Sequence, residues 1–478
     1  AYASQALAEQ SLETPLVRLC RQAPVTCLAM TPLHDALTRM HALRIGSMLV
    51  VDAAQAPVGI LTRSDILERI TLPQLPLATP IGKVMVQPVA TLTHQHTAQD
   101  AALLMSSRGI RHVPVTRDGR AVGVVSERDL FALQRLSLKQ VSSGLRNAPD
   151  VPTLVSGSHE IRRLARALLG QGVHAQQLTA LISHLNDVLT SRLVELMAGQ
   201  HALDLQACCW IALGSEGRNE QTVATDQDNA LILANPQGSG SPDKARWLAF
   251  ARDVNEALDA CGYPLCKGNI MASNPACCLT LAEWQERFAH WIDRGTPQDL
   301  LNASIYFDFR CLVGQSALAD RLRASVTQRA RGNPRFLRQL ALNGLTQSAP
   351  LNWLGQIDTT EVDGQATLDL KLQGTAIFVD VARLYALAQG VVATGTRERF
   401  EAVGPLLGVP EPEHQAWVGG FEFLQMLRLR AQLDGTAVGG NANRIAIKHL
   451  NDIDRRILKE TLRVLRTLQQ RVRLDYER

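Results

Sequence analysis

The chain has 478 residues, 46% of them hydrophobic and 20% charged, which describes a folded protein of about three domains and excludes a wholly disordered one. Its 49 basic and 45 acidic residues leave a net charge of +4, too weak a field to recruit nucleic acid or a membrane surface. Nine cysteines without a CxxC spacing argue against a disulfide framework or a zinc site, and no run reaches the ~18 apolar residues of a membrane span, so the chain reads as cytoplasmic.

The chain opens on Ala1 rather than Met, so residues 1–14 read as an N-terminal fragment of a longer protein. From there to about residue 136 the sequence repeats itself. Pro15 falls on Pro80, Ala36 on Ala101, Met40 on Met105 and Ile45 on Ile110, an offset of 65. After one residue is lost in a turn the offset becomes 64, with Gly59 on Gly123 and Asp65 on Asp129. Each copy reads as helix, strand, turn, strand, helix. The strand pairs are 47–52 with 58–61 and 112–116 with 121–125, the second joined by Arg117-Asp118-Gly119-Arg120, a hairpin-turn sequence.

The two copies close on Gly59-Ile-Leu-Thr-Arg-Ser-Asp65 and Gly123-Val-Val-Ser-Glu-Arg-Asp129. These phrases resemble a tandem pair of CBS (cystathionine-β-synthase) domains. The resemblance implies that Thr62 or Ser126 approaches the phosphates of an adenine nucleotide (AMP, ADP or ATP), that Asp65 or Asp129 accepts from the ribose hydroxyls, and that the pair supports a homodimer. The same residues also have a ligand-free reading, because Thr62-x-x-Asp65 and Ser126-x-x-Asp129 are capping boxes at a helix start.

Between residues 138 and 158 Ser, Gly, Pro and Asn accumulate and predict a linker. Ile161, Leu164, Ala165 and Leu168, then Leu178, Leu181, Ile182, Leu185, Val188 and Leu189, predict two amphipathic helices. Next, an apolar strand from Trp210 runs into Gly214-Ser215, a short polar segment carries Arg218, and a second strand carries Asp226 and Asp228. Residues two apart on a strand share a face, so the two carboxylates converge, a hard-oxygen pair suited to Mg²⁺. A Gly-Ser turn before a helix presents backbone N–H groups to a phosphate, and Gly214 permits its close approach.

Gly214-Ser-Glu-Gly-Arg-Asn-Glu-Gln221 followed by Thr225-Asp-Gln-Asp-Asn229 resembles the polymerase-β-like nucleotidyltransferases, and more closely a CBS-containing bacterial group related to the uridylyltransferases of the PII nitrogen-signalling protein. The resemblance implies that Gly214, Ser215 and Arg218 hold the phosphates of an NTP and that Asp226 and Asp228 hold one or two Mg²⁺ ions. Glu220, Gln221, Thr225 and Asn229 read as loop-shaping hydrogen-bonders. The superfamily's third carboxylate is missing from the expected strand Tyr263–Ala272, and Asp308 is the nearest later acid in an apolar setting. The hydrolase and ligand-sensing modules of the PII-modifying enzymes find no counterpart, so reversal of the modification and glutamine sensing do not carry over.

From Ala319 the pattern is mostly helical. Asp369-Leu-Lys371, Arg383, Thr396-x-x-Arg399, Leu427-Arg-Leu-Arg-x-Gln432 and Asn443 resemble the C-terminal module of the same group, which implies an acceptor-binding role and a Lys371 close to the phosphates. Asp369 and Lys371 have an alternative reading as surface residues, and Arg428 and Arg430 read as solvated or paired helix residues.

The expected protein is therefore α+β and multidomain. A tandem CBS α/β pair spans 15–136, a linker and helical spacer 137–205, a mixed-sheet nucleotidyltransferase domain 206–320, and an all-α substrate-binding domain 321–478. The expected function is transfer of NMP from NTP to a hydroxyl of a protein or small molecule, with a nucleotide-controlled CBS pair and without nucleic-acid or membrane partners. The alternative is a non-catalytic nucleotide sensor with a degenerate transferase site. A third reading is transfer to an antibiotic-like or metabolite acceptor.

Overall fold

The computed structural model describes residues 14–20, 23–170, 175–234 and 243–476. The N-terminal fragment expected over 1–14 thus lies, apart from Thr14, outside the described residues. These residues form two compact units, one running up to Val141 and the other from Ser142 to the C-terminal helix.

The first unit contains two matching three-stranded sheets. In one, Thr26–Leu28 pairs parallel to Ser47–Val51, which pairs antiparallel to Pro57–Thr62. In the other, Leu92–Thr93, His112–Arg117 and Arg120–Ser126 repeat that arrangement. Both hairpins match the sequence reading, and Asp118 (φ 50°) and Gly119 (φ 79°) take the two left-handed positions of the expected turn. The leading strands of three and two residues are too short to carry a period-2 signal. Leu33, Met40, Met48, Leu61 and Ile81 build the first core.

The pseudo-symmetry extends to single hydrogen bonds. Leu33 N donates to Thr79 O and Ala98 N to Thr14 O, both at 2.9 Å. Ile81 N donates to Thr31 O and Leu16 N to His96 O, both at 2.8 Å. Each bond is its counterpart shifted by 65 residues with the two copies exchanged, so each copy satisfies backbone groups of the other.

The expected linker over 138–158 is instead mostly helical: Glu127–Arg146 is followed after a short break by Val151–Gly170. Asp150 starts that second helix by accepting from Thr153 N at 2.9 Å and Thr153 Oγ1 at 2.6 Å, and cap and packing outweigh the low helix propensity of Ser and Gly. The helix Ala175–Gln200 then leads into a four-stranded sheet ordered Arg310–Gly314, Cys208–Ala212, Asn229–Leu233, Cys278–Thr280. Only the last pair is parallel. The strand expected over Tyr263–Ala272 is a loop; its place in the sheet is taken by the three residues Cys278–Thr280.

The tail is built on Ala376–Gln389, Thr396–Leu406, Glu411–Leu433 and Asp452–Tyr476. It also carries a small antiparallel sheet of Thr360–Val362, Gln365–Asp369 and Arg444–Ala446, which corrects the all-helical expectation: two of these strands have only three residues. Phe307, Phe336, Phe378, Phe400 and Trp417 belong to one continuous core that joins the transferase sheet to these helices. Among the described residues no helix is long and apolar enough to cross a membrane.

Candidate active site

The strand Cys208–Ala212 is buried along its length and delivers the chain through Leu213 to Gly214, whose φ is +55°. A side chain at Gly214 would be strained by that φ and would press on Ile305 at 3.0 Å and on Asp228 Oδ2 at 3.3 Å. Glycine therefore lets the turn close directly over a carboxylate.

Asp226 and Asp228 sit in the extended segment just before the strand Asn229–Leu233 rather than within it. The alternation still holds: Asp226 is exposed, Gln227 buried and Asp228 half-buried. Ligand atoms of Asp226, Asp228 and Cys266 all lie within 4.8 Å of one another. Burial and the charge of Asp226 push the Asp228 carboxyl up to about 6, against the thiol of Cys266 and the charges of Lys371 and Arg218. Cys266, on the loop that replaces the expected strand, was missed because a lone cysteine there carries no spacing signal.

Gln227 faces the other way and fastens that loop, its Nε2 donating to Asn255 O at 2.9 Å and Tyr263 O at 3.0 Å. Asn229 Oδ1 accepts from Asn255 Nδ2 at 2.9 Å and from Ala272 N at 2.8 Å. Gln221 accepts from Asn186 on the long helix at 3.2 Å. Glu220 accepts from Arg218 Nε at 2.7 Å and from Thr396 N of the helical region. These are loop-shaping contacts, as the residue types suggest.

Arg218 is committed to two carboxylates, Glu220 and, at 2.7 Å, Asp308. Asp308 is fully buried and accepts from three guanidiniums. Arg383 donates at 2.6 and 3.0 Å, Arg399 at 2.7 Å and Arg218 at 2.7 Å. Burial alone would raise its pKa, but Arg383, Arg399 and Arg218 outweigh that and hold the carboxyl far below the usual range. A carboxylate so occupied is no proton acceptor, which removes Asp308 as the replacement third acid. It is instead the anchor between the transferase sheet and the helices that carry Arg383 and Arg399.

Ser215, Arg218, Thr225, Lys371, Arg383 and Arg428 line one cavity of about 160 Å³. Asp369 is buried, not a surface residue, and its Oδ1 accepts from the N–H of Lys371 at 3.0 Å and of Leu372 at 2.9 Å, fixing the turn that presents Lys371. Arg428 is buried rather than solvated and pairs with Asn443 and Gln425, whereas Arg430 pairs with Asp454 at 2.7 Å. Beside the turn, burial and then the charge of Asp187 push Glu216 up to about 8.

In the first unit, Thr62 N and Oγ1 donate to Asp65 Oδ2 at 2.7 and 2.6 Å, and Ser126 N and Oγ to Asp129 Oδ2 at 2.8 and 2.6 Å. Both phrases thus form the capping boxes that their spacing allows. Burial lowers the pKa of His112, which the sequence reading passed over as a site residue, against the charges of Asp129, Glu127 and Asp65.

Residues 159–298 match the family described as "Putative nucleotidyltransferase DUF294", residues 334–476 match "Putative nucleotidyltransferase substrate binding domain", and residues 17–72 and 81–135 each match the CBS domain. An uncharacterised 17.7 kDa protein of Acidianus ambivalens is 32% identical over 97 residues, 20% of this chain and 58% of that one. A CBS domain-containing protein of Arabidopsis thaliana is 29% identical over 114 residues, 24% of this chain and 21% of that one. The chain thus spans between a fifth and three fifths of the length of these two relatives. A solved CBS domain protein from Pyrobaculum aerophilum, complexed with AMP, is 25% identical and covers 27% of this chain and 98% of its own, with a TM-score of 0.24. The order of matched segments, a CBS pair, then the transferase model, then its substrate-binding partner, places this chain in the CBS-containing "putative nucleotidyltransferase" family.

Proposed function

We propose that the protein is a Mg²⁺-dependent nucleotidyltransferase that moves NMP, uridylyl or adenylyl, from an NTP to a hydroxyl on a protein or small molecule, in the manner of the PII uridylyltransferases. The observation that carries this reading is the convergence of Asp226 and Asp228 by the Gly214-Ser215 turn, next to a cavity that Ser215 and Thr225 line together with Lys371 and arginines. Two carboxylate oxygens and a thiol within 4.8 Å are a donor set that fits a divalent cation of hard or borderline character. Such an ion, when bound at Asp226 and Asp228, supplies positive charge to the phosphoryl oxygens of the nucleotide. Ser215 and the Gly214 turn bind and orient the phosphates, Lys371 adds a cation from the lining of the same cavity, and the helical region supports the acceptor. The CBS pair binds an adenine nucleotide through Thr62, Asp65, Ser126 and Asp129 and regulates the transferase.

One observation favours the second reading, a nucleotide-sensing signalling protein with a degenerate site. Among the described residues no third carboxylate joins Asp226 and Asp228, and Asp308 is tied up by arginines. Incubating the protein with each labelled NTP, Mg²⁺ and a cell lysate separates the two. Label transferred to a protein or metabolite in wild type and not in Asp226→Asn supports the enzyme; Mg-NTP binding without transfer to any component overturns it in favour of the sensor.

A further inference from the structure

Arg428 lies within the helix Glu411–Leu433 and is 8% exposed. Its hydrogen-bond partners are all neutral: Nε donates to Asn443 Oδ1 at 2.9 Å, and Nη1 to Gln425 Oε1 and, at 3.4 Å, to Thr375 Oγ1. The other buried arginines around this cavity are different. Arg383 and Arg218 meet Asp308, and each has a second carboxylate, Asp380 or Glu220. Arg428 is therefore a buried cation with no carboxylate at ion-pair distance among the described residues, although the charges of Asp369 and Glu220 reach it, and such an arrangement is costly unless an anion completes it. Burial and the nearby charge of Arg218 lower its pKa to about 10, against the charges of Asp369 and Glu220, so it stays charged at neutral pH.

Lys371 lines the same cavity and likewise has no carboxylate at ion-pair distance among the described residues, although the Asp228 carboxyl feels its charge. Two cations together with Ser215, Thr225, Thr375 and Gln425 in one lining suit a multiply charged anion such as a phosphate group.

We propose that Lys371 and Arg428, with Thr375 and Gln425 beside them, form a diphosphate subsite that takes the two terminal phosphates of a nucleoside triphosphate and retains the pyrophosphate it leaves. Its identity as part of an NTP site rests on the transferase reading, but its affinity for diphosphate does not. The helical region then binds donor as well as acceptor, and a nucleoside monophosphate makes no use of this subsite.

Isothermal titration of the full chain with sodium pyrophosphate in EDTA tests this, because pyrophosphate has no adenosine for the CBS pair and needs no metal at Asp226 and Asp228. Wild type is expected to bind, and Lys371→Met and Arg428→Gln each to weaken binding roughly 10- to 100-fold, as the loss of one charged hydrogen bond implies. Asp226→Asn should leave binding unchanged or tighten it, since it removes a like charge. Lys371 is exposed, so Lys371→Met carries the test if Arg428→Gln fails to fold. No pyrophosphate binding by wild type, or equal binding by a folded Lys371→Met, overturns the subsite. Transfer activity in wild type with that result would leave the transferase reading standing. Loss of pyrophosphate binding in the variants without transfer from any NTP would retain the subsite and remove the enzyme.

Discussion

Asp308→Asn replaces the one carboxylate on which three arginines converge. In the native protein Asp308 is 0% exposed, and the side chains of Arg218, Arg383 and Arg399 are 12%, 5% and 2% exposed. After the substitution Arg218 keeps Glu220 and Arg383 keeps Asp380, but Arg399 keeps, among the described residues, the carbonyl of Ala393 at 2.8 Å and no carboxylate. Removing one partner of a buried ion cluster leaves an uncompensated charge, which costs about 3–5 kcal/mol. All six tryptophans (Trp210, Trp247, Trp284, Trp291, Trp353 and Trp417) fall in the unit that starts at Ser142, so urea unfolding followed by tryptophan fluorescence reads this unit apart from the CBS pair. The variant should lose that amount, and Arg399→Met should cost less in the Asp308→Asn background than in wild type. The sign with pH is also set. A carboxyl whose folded pKa is depressed stabilises the protein above its unfolded value of about 4 and loses that contribution as pH falls below it. Wild type, and not Asp308→Asn, should show this loss. An unfolding midpoint unchanged in Asp308→Asn, with transfer abolished, would refute the anchor and restore Asp308 as a base.

Three further outcomes can be checked. Glu216 has a folded pKa raised to about 8 from 4.5, so it binds more protons folded than unfolded and stability should fall as pH rises through that window, by at most roughly 5 kcal/mol. Glu216→Gln should flatten the slope, and an identical slope in urea melts from pH 5 to 8 would contradict the shift. Asp226→Asn and Asp228→Asn should each weaken Mg-NTP binding at least ~10-fold with the fold intact; calorimetry showing unchanged affinity in both would remove the metal assignment. For the CBS pair, an adenine nucleotide at 100 times its dissociation constant should stabilise its unit by about 2.7 kcal/mol in an Asp226→Asn background. Asp65→Ala and Asp129→Ala should each cost about 1 kcal/mol as lost caps, and no shift with AMP, ADP or ATP would end the regulatory reading.

The repeat and the transferase turn were legible because their signals are local. A hairpin turn, a capping box and an Asp-x-Asp alternation are all set by neighbours within a few residues. The alternation placed Asp226 and Asp228 on one side even though the strand starts one residue later, at Asn229. What was hidden depends on long-range partners. Asp308 read as an isolated acid in an apolar run because Arg218, Arg383 and Arg399, which hold it, are 75 to 91 residues away. Arg428 and Arg430 are alike in sequence, yet one enters the cavity wall and the other meets Asp454, a distinction decided by packing around the helix. The helices at 127–146 and 151–170 show the same limit in reverse, local composition there being overruled by tertiary contacts.

The bonds exchanged between the two CBS copies also set an order of events during synthesis. The amide of Leu33, at the start of the first copy's helix, finds its acceptor on Thr79, and the acceptor that Thr31 offers is met by Ile81. The first copy therefore emerges with its helix entrance unfinished and can close only after nearly fifty more residues have followed it. In the matching bonds the second copy's partners, Thr14 and Leu16, lie upstream and are made first. A chain cut between the copies would leave two halves with open seams, each the template for the other or for the same half of a second molecule.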